Sequence, residues 1–231
     1  MIELVQPEVE LWGYMGNDNS IANVARVSME VGENWLELPR GYSTDRRDSL
    51  LRYLATHKHT SPFRHNAITL RCKVPLFLAR QLGKHQVGMS WNELSRRYVD
   101  KNFEFFDMSD TWRKRAPNVK QGSAGLIAED EQVICNEWYT NVLDVAMGTY
   151  KSLLDVGVAP EQARAVLPAS LMVDYIWTGS LMAFAHVFAL RIESGAQKEA
   201  QDFAKALDEV IRPLFPVSWA ALVGKEIGVE Q

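Results

Sequence analysis

The sequence predicts an α+β fold, with helices packed on an antiparallel or mixed sheet in a single domain over residues 1–231. One segment alternates apolar and polar residues with period two, as a half-buried strand does, and two long stretches place apolar residues three and four apart, as amphipathic helices do. No regular strand–helix alternation runs through the chain, and no repeat or low-complexity stretch divides it.

The alternating segment runs from Asn66 to Val74, where Ile68, Leu70, Cys72 and Val74 interleave with Thr69, Arg71 and Lys73. Pro75 follows at a position where a first helical turn tolerates a missing N–H, and Leu76, Leu78, Ala79 and Leu82 suit a short helix that stops near Gly83. Further strand signals lie between Arg97 and Phe106. From Asp107 to Gly125 charges, Pro117 and Gly122 cluster without apolar period, which predicts a surface loop or a lid. Long helices are expected over Glu131–Leu154 and Gly179–Ile211, with Pro160 and Pro168 punctuating the interval between them.

A chain of 231 residues that is 47% hydrophobic and 23% charged can bury a sizeable core, which excludes disordered and fibrous classes. Its 25 basic and 29 acidic residues give a net charge of -4, so no global positive field exists for a nucleic-acid polymer or anionic lipid. The longest apolar run, Leu181 to Leu190, contains His186 and is roughly half a membrane span. Glu3, Glu8 and Glu10 are unlike a signal peptide, and two cysteines are too few for a disulfide framework. The expectation is a cytoplasmic protein with no membrane partner.

Three clusters could carry chemistry. The first, His57 to His65, holds three of the five histidines, but no cysteine or carboxylate lies within it to complete a metal site, and it reads equally as a polar turn ahead of the strand. The second, Arg80 to Tyr98, packs charges, amides, hydroxyls and glycines together. It suits a polar ligand held by Arg and Lys at phosphate and by Gln, Asn and Ser at a ring edge. Stacking of single-stranded nucleic acid on Trp91 and Tyr98, or a plain surface loop, are the alternatives. In the third cluster Arg164 precedes Pro168, and Arg191 lies beside an apolar helical stripe, where it either snorkels or pairs with an anion, Glu193 or Glu199 being candidate partners within the chain. His186, similarly placed, reads as a satisfied core histidine.

Taken together these stretches resemble the flavin-dependent thymidylate synthases. The resemblance rests on His-x-His-x-Ser-Pro-Phe-x-His at His57 to His65, on Asn92-Glu93-Leu94-Ser95-x-Arg97-Tyr98, on Ala-Arg-x-Val-Leu-Pro at Ala163 to Pro168, and on Leu190-Arg191 with Gln197-x-Glu199. The chain departs from the family signature where Lys84-His85-Gln86 replaces Arg-His-Arg, where one residue is inserted before Ser95, and where Arg64 stands in place of a carboxylate.

The resemblance implies reductive methylation of dUMP to dTMP, with methylenetetrahydrofolate as carbon donor and NADPH as reductant through bound FAD. It implies dUMP contacts at Gln81, Glu93, Ser95, Arg96, Arg97, Arg164 and Arg191, Arg191 being the catalytic residue that binds and polarises the uracil ring. FAD contacts would be Ser28, His59, Ser61, Lys84, His85, Gln86, Asn92, Glu93, Ser180 and His186, with no metal. It further implies a homotetramer whose active sites combine several chains. A binding protein for nucleotides or RNA that keeps the fold without turnover is the competing reading. The residues themselves agree with chemistry that needs no cysteine nucleophile, since Cys72 falls among core strand positions and Cys135 among helical signals.

Overall fold

The computed structural model describes residues 2–29, 34–117 and 122–224. In chain order its elements are β1 (Glu3–Val5), β2 (Glu8–Met15), α1 (Asp18–Arg26), α2 (Thr44–Thr56), β3 (Ala67–Pro75), α3 (Leu76–Leu82), β4 (Met89–Glu93), β5 (Glu104–Phe106), β6 (Arg113–Arg115), β7 (Ser123–Leu126), α4 (Glu129–Asp155), α5 (Pro160–Ala163), β8 (Met172–Gly179), α6 (Leu181–Arg191), α7 (Lys198–Ile211) and α8 (Pro216–Val223). Short 3-10 turns occupy Pro62–Arg64 and Arg164–Val166.

The expected α+β class holds. A four-stranded sheet in the order β2-β3-β8-β4 is antiparallel throughout, while β1 and β5 form a separate parallel pair and β6 and β7 an antiparallel one. The alternation from Asn66 to Val74 is realised in β3, whose Ile68, Leu70, Cys72 and Val74 are fully buried. Its other face carries ions: Arg71 binds Asp174 at 2.9 Å and Glu10 at 3.2 Å, and Lys73 binds Glu104 at 3.2 Å. Long cationic stems lie along the sheet here while their heads find carboxylates on neighbouring strands.

The apolar face of the sheet is covered by helices of both chain halves, and β8 supplies its middle with Val173, Tyr175 and Trp177. Trp177 is fully buried among Phe184 at 5.4 Å, Trp91 at 5.5 Å and Tyr175 at 6.1 Å between ring centroids. A buried carboxylate joins the ends of the chain: Asp18 accepts hydrogen bonds from the Val217 and Ser218 amides at 2.9 and 3.0 Å, capping α8.

Several expectations are corrected. The stretch Gly179–Ile211 is two helices: Gly179 ends β8, Ser180 caps α6, and a turn at Ser194 and Gly195 leads to α7. The periodicity continues through that turn because both helices bury one face against the same core. Strand structure between Arg97 and Phe106 is confined to β5, since Arg97 and Tyr98 sit in a turn where the Tyr98 amide donates to the Ser95 carbonyl at 3.0 Å. Pro75 closes β3 at the N-cap of α3, one position before the first turn. The segment Asp107–Gly125 contains the β6–β7 hairpin, with 118–121 outside the described residues.

The helix expected at Glu131–Leu154 is α4, which buries Leu143, Ala146 and Tyr150 and leaves Val133, Ile134, Trp138, Val142 and Val145 exposed. Among the described residues no helix is long and apolar enough to cross a membrane.

Candidate functional site

Helix α3 leaves the sheet at Pro75 and organises the site. Arg80 and Gln81 are consecutive, so their side chains diverge by about 100° and serve different spaces. Arg80 lines two neighbouring cavities. One, of about 460 Å³, is bounded by Lys84, His85, Gln86, Met89, Trp91 and Glu93; the other, of about 450 Å³, is bounded by Glu93, Ser95, Arg96, Glu161, Arg164 and Leu167. Gln81 faces a third cavity of about 540 Å³ with Arg191, Arg113, Ser123 and Gln197.

Arg191 is half-buried at the end of α6, and its Nε donates to His85 Nε2 at 3.0 Å while Nη2 donates to the Gln81 carbonyl at 3.3 Å. Neither expected carboxylate reaches it. Glu193 is exposed, and Glu199 is taken by Arg113 at 2.5 Å, a contact across 86 residues that local spacing cannot signal. Because Nε2 accepts from a guanidinium, the His85 ring carries its proton on Nδ1.

Burial, then the charges of Arg191 and His186, lowers the His85 pKa from 6.5 to about 4, so the ring is neutral at physiological pH. A histidine whose pKa falls on folding takes up its proton first in the unfolded chain. The His85 contribution to stability is therefore full above about pH 6.5 and declines as pH drops toward about 4. His85→Gln is expected to flatten the urea midpoint between pH 6.5 and 4 relative to the parent; parallel profiles would contradict the assigned protonation state.

His186 is exposed, 6.0 Å from His85 between ring centroids, so the core-histidine reading fails: it projects from the exposed side of α6, with Ala189 and Leu190. Ser180 caps α6 through the Ala183 amide and lies beside Gly88, whose φ of +71 requires a residue without Cβ strain. Lys84, His85, Gln86 and Glu93 thus share one cavity, with Asn92 next to it on β4. Ser28 ends up in the turn after α1, and His59 and Ser61 follow α2, where His59 and His57 stack with Tyr53. Those three residues line none of the three cavities described.

Among the expected nucleotide contacts, Ser95, Arg96, Arg164 and Glu93 share the second cavity, apart from Gln81 and Arg191 in the third. Arg96 is already committed: it donates to the Lys101 and Asn102 carbonyls at 2.8 and 3.2 Å and lies 4.4 Å over Phe103. Arg97 rests on Glu161 at 3.3 Å, an exposed pair that an anion can displace at little cost. Trp91 does not offer a free stacking platform, since Tyr175 covers it at 3.5 Å between ring centroids.

Sequence reasoning missed Arg113, Ser123, Met89 and the packed role of Trp91. The alternation Met89, Trp91, Glu93 is the signal for the latter pair; Arg113 lies in a segment with no period to read. Cys72 is a core side chain as expected, its thiol pushed up to about 12 by burial, and neither cysteine lines the cavities described.

Comparison with known proteins gives the same frame. Residues 10–217 match the family described as "Thymidylate synthase complementing protein". A flavin-dependent thymidylate synthase of Thermus thermophilus is 37% identical over 214 residues, covering 92% of this chain and 74% of the relative. One from Thermotoga neapolitana is 36% identical, covering 93% and 90%. Among solved structures, the UMP/dUMP methylase PolB from Streptomyces cacaoi bound with 5-Br dUMP is similar with a TM-score of 0.83 and 29% identity over 96% of each chain. The same protein bound with 5-Br UMP is similar with a TM-score of 0.83 and 29% identity over 95% of each chain.

Proposed function

Because the chain belongs to the flavin-dependent thymidylate synthase family, we propose that it methylates dUMP to dTMP, drawing the carbon from methylenetetrahydrofolate and the electrons from NADPH through FAD. The observation that carries the reading is Arg191: a half-buried guanidinium in a cavity, held by a neutral histidine and a carbonyl, with no carboxylate neutralising it. A fixed cation placed this way suits a ring carbonyl, where it stabilises the negative charge that develops as the pyrimidine becomes nucleophilic. The neutrality of His85 leaves that charge undivided, and its Nε2 lone pair fixes the guanidinium plane.

Arg164 and Arg97, both exposed near the second cavity, suit the phosphate through paired charge-assisted hydrogen bonds. Gln81, Glu93 and Ser95 complete the proposed nucleotide contacts, and Arg96 acts by bracing the loop that carries them. Ser95 has no base beside it among its contacts and serves as a binding group.

The first cavity fits FAD in character: the side chains of Met89 and Trp91 give it an apolar wall, Lys84 a cation for an anionic tail, and His85, Gln86 and Glu93 polar edges. Asn92, Ser180 and His186 border it, and Ser28, His59 and Ser61 are proposed to reach the cofactor from elsewhere in the assembly. FAD when bound supplies the hydride transfer that no side chain here can perform, leaving binding, orientation and electrostatics to the protein. That Arg164 and Arg191 line separate cavities supports a site completed between chains, as a homotetramer would provide. Metal is not invoked, and a cytoplasmic setting is part of the same proposal.

Tritium release from ring-labelled dUMP tests the whole reading, with FAD, NADPH and methylenetetrahydrofolate omitted in turn. Release that requires all three is expected. No release from folded protein supplied with every component would refute the assignment.

A further inference from the structure

The first and second cavities share two side chains, Arg80 and Glu93, which form the partition between them. Arg80 reaches that position from the last turn of α3, whose Leu78, Ala79 and Leu82 are buried and anchor the helix in the core. Glu93 reaches it from the end of β4, where the strand pairs with Tyr175 of β8. Both side chains are exposed. Opposite charges thus stand on one partition, yet no ion pair joins them, and among the described residues Arg80 has no hydrogen-bond partner.

The other arginines that line the second cavity are engaged. Arg96 donates to the Lys101 and Asn102 carbonyls, and Arg164 donates from Nε to the Glu161 carbonyl at 3.2 Å. Arg80 is the guanidinium of this cavity whose five N–H groups are all uncommitted within the described chain.

We propose that Arg80 is a further binding residue for the reaction, one guanidinium shared by the nucleotide phosphate in the second cavity and the flavin cofactor in the first, so that each ligand tightens the binding of the other. The proposal rests on the reading of these cavities as the nucleotide and FAD sites. A guanidinium is planar and carries N–H groups on more than one edge, so it can serve acceptors on two sides at once, where an ammonium acts as a point charge.

The coupling arises from ordering. In the free protein an exposed arginine without partners keeps its rotamer freedom, and whichever ligand binds first must restrict it. The second ligand then meets a guanidinium already held in place. The rotamer freedom of one arginine sets the size of the effect at about 10-fold. Reciprocity requires the same factor in both directions.

The test is the retention of FAD by the loaded, full-length protein, followed by flavin fluorescence on dilution, with dUMP absent and at saturation. In the parent, dUMP is expected to lower the FAD dissociation constant about 10-fold. In Arg80→Gln that ratio is expected to fall to about 1. Calorimetry should also show dUMP binding to the FAD-loaded variant weakened at least ~10-fold, as for loss of a hydrogen bond to a charged group. Arg80→Lys keeps the cation that suits the end of α3 and is expected to recover part of the dUMP affinity while leaving the ratio near 1. Should Arg80→Gln fail to fold, as urea unfolding would reveal, Arg80→Lys decides the matter. A role confined to stability would move the urea midpoint and leave the ratio at its parent value. A parent ratio near 1, or a ratio of about 10 kept by either folded variant, overturns the inference while leaving the cavity readings intact. A parent that retains no FAD, or that binds no dUMP when loaded, overturns those readings and the inference with them.

Discussion

Arg191→Ala is expected to fold like the parent and to lose about 100- to 1,000-fold in turnover of dUMP, the range seen when one preorganised donor to a developing negative charge is removed. The fold should survive because the contacts of Arg191 are peripheral: a histidine nitrogen at 3.0 Å and one carbonyl at 3.3 Å, both half-buried, with no buried carboxylate left unpaired. The apolar face of α6 meanwhile remains anchored by Leu181, Phe184, Val187 and Phe188. Arg191→Lys should recover only part of the loss, since a lysine ammonium cannot fork between His85 and a ring carbonyl. Tritium release alongside thermal unfolding separates the cases: a variant with unchanged Tm and full activity would remove the proposed ring contact.

Trp177→Ala carries the largest expected stability cost, about 3–5 kcal/mol. The side chain is fully buried on the central strand β8, where it meets Tyr175, Trp91, Phe184 and Phe203. No neighbour can fill the space, because each is itself a ring fixed by others: Trp91 by its stack with Tyr175, Phe184 by the backbone of α6. The damage should extend to the first cavity, since Trp91 forms its wall and leans on Trp177. A urea midpoint close to the parent would mean that the sheet repacks around the gap; a large fall accompanied by weakened flavin retention is the expected pair of results.

How far the sequence could be read depended on which elements have one wet face. Strand β3 was legible because Thr69, Arg71 and Lys73 face ions and solvent while their neighbours face the core. Strand β8 was not, since Met172, Val173, Tyr175 and Trp177 run nearly unbroken and its alternation is blurred by Ile176 on the opposite face. Helices α6 and α7 merged into one expected element because their apolar spacing persists across Ser194 and Gly195, and only the turn's own hydrogen bonds reveal the break.

The site divides in the same way. Lys84, His85, Gln86 and Glu93 were readable as a group because they are close in sequence and the sheet keeps them close in space. The partner of Arg191 was misjudged because Glu193 and Glu199 are near in sequence yet one faces solvent and the other is drawn away by Arg113 on a distant hairpin. Long-range pairing of this kind is a property of the folded chain and leaves no local pattern to read.

The placement of Arg191 and Arg164 in different cavities also has a genetic meaning. If each working site draws one arginine from each of two chains, Arg191→Ala and Arg164→Ala are not equivalent lesions but complementary ones. Co-expressed and allowed to assemble together, two individually inactive variants would rebuild roughly a quarter of their sites with both arginines intact, because each site samples its two donors independently. Co-assembly should therefore restore activity that neither variant shows alone, whereas a site contained in one chain would leave the mixture inactive. The same logic makes a defective allele of this protein poisonous to a normal one, since every altered subunit would spoil sites it shares with intact neighbours.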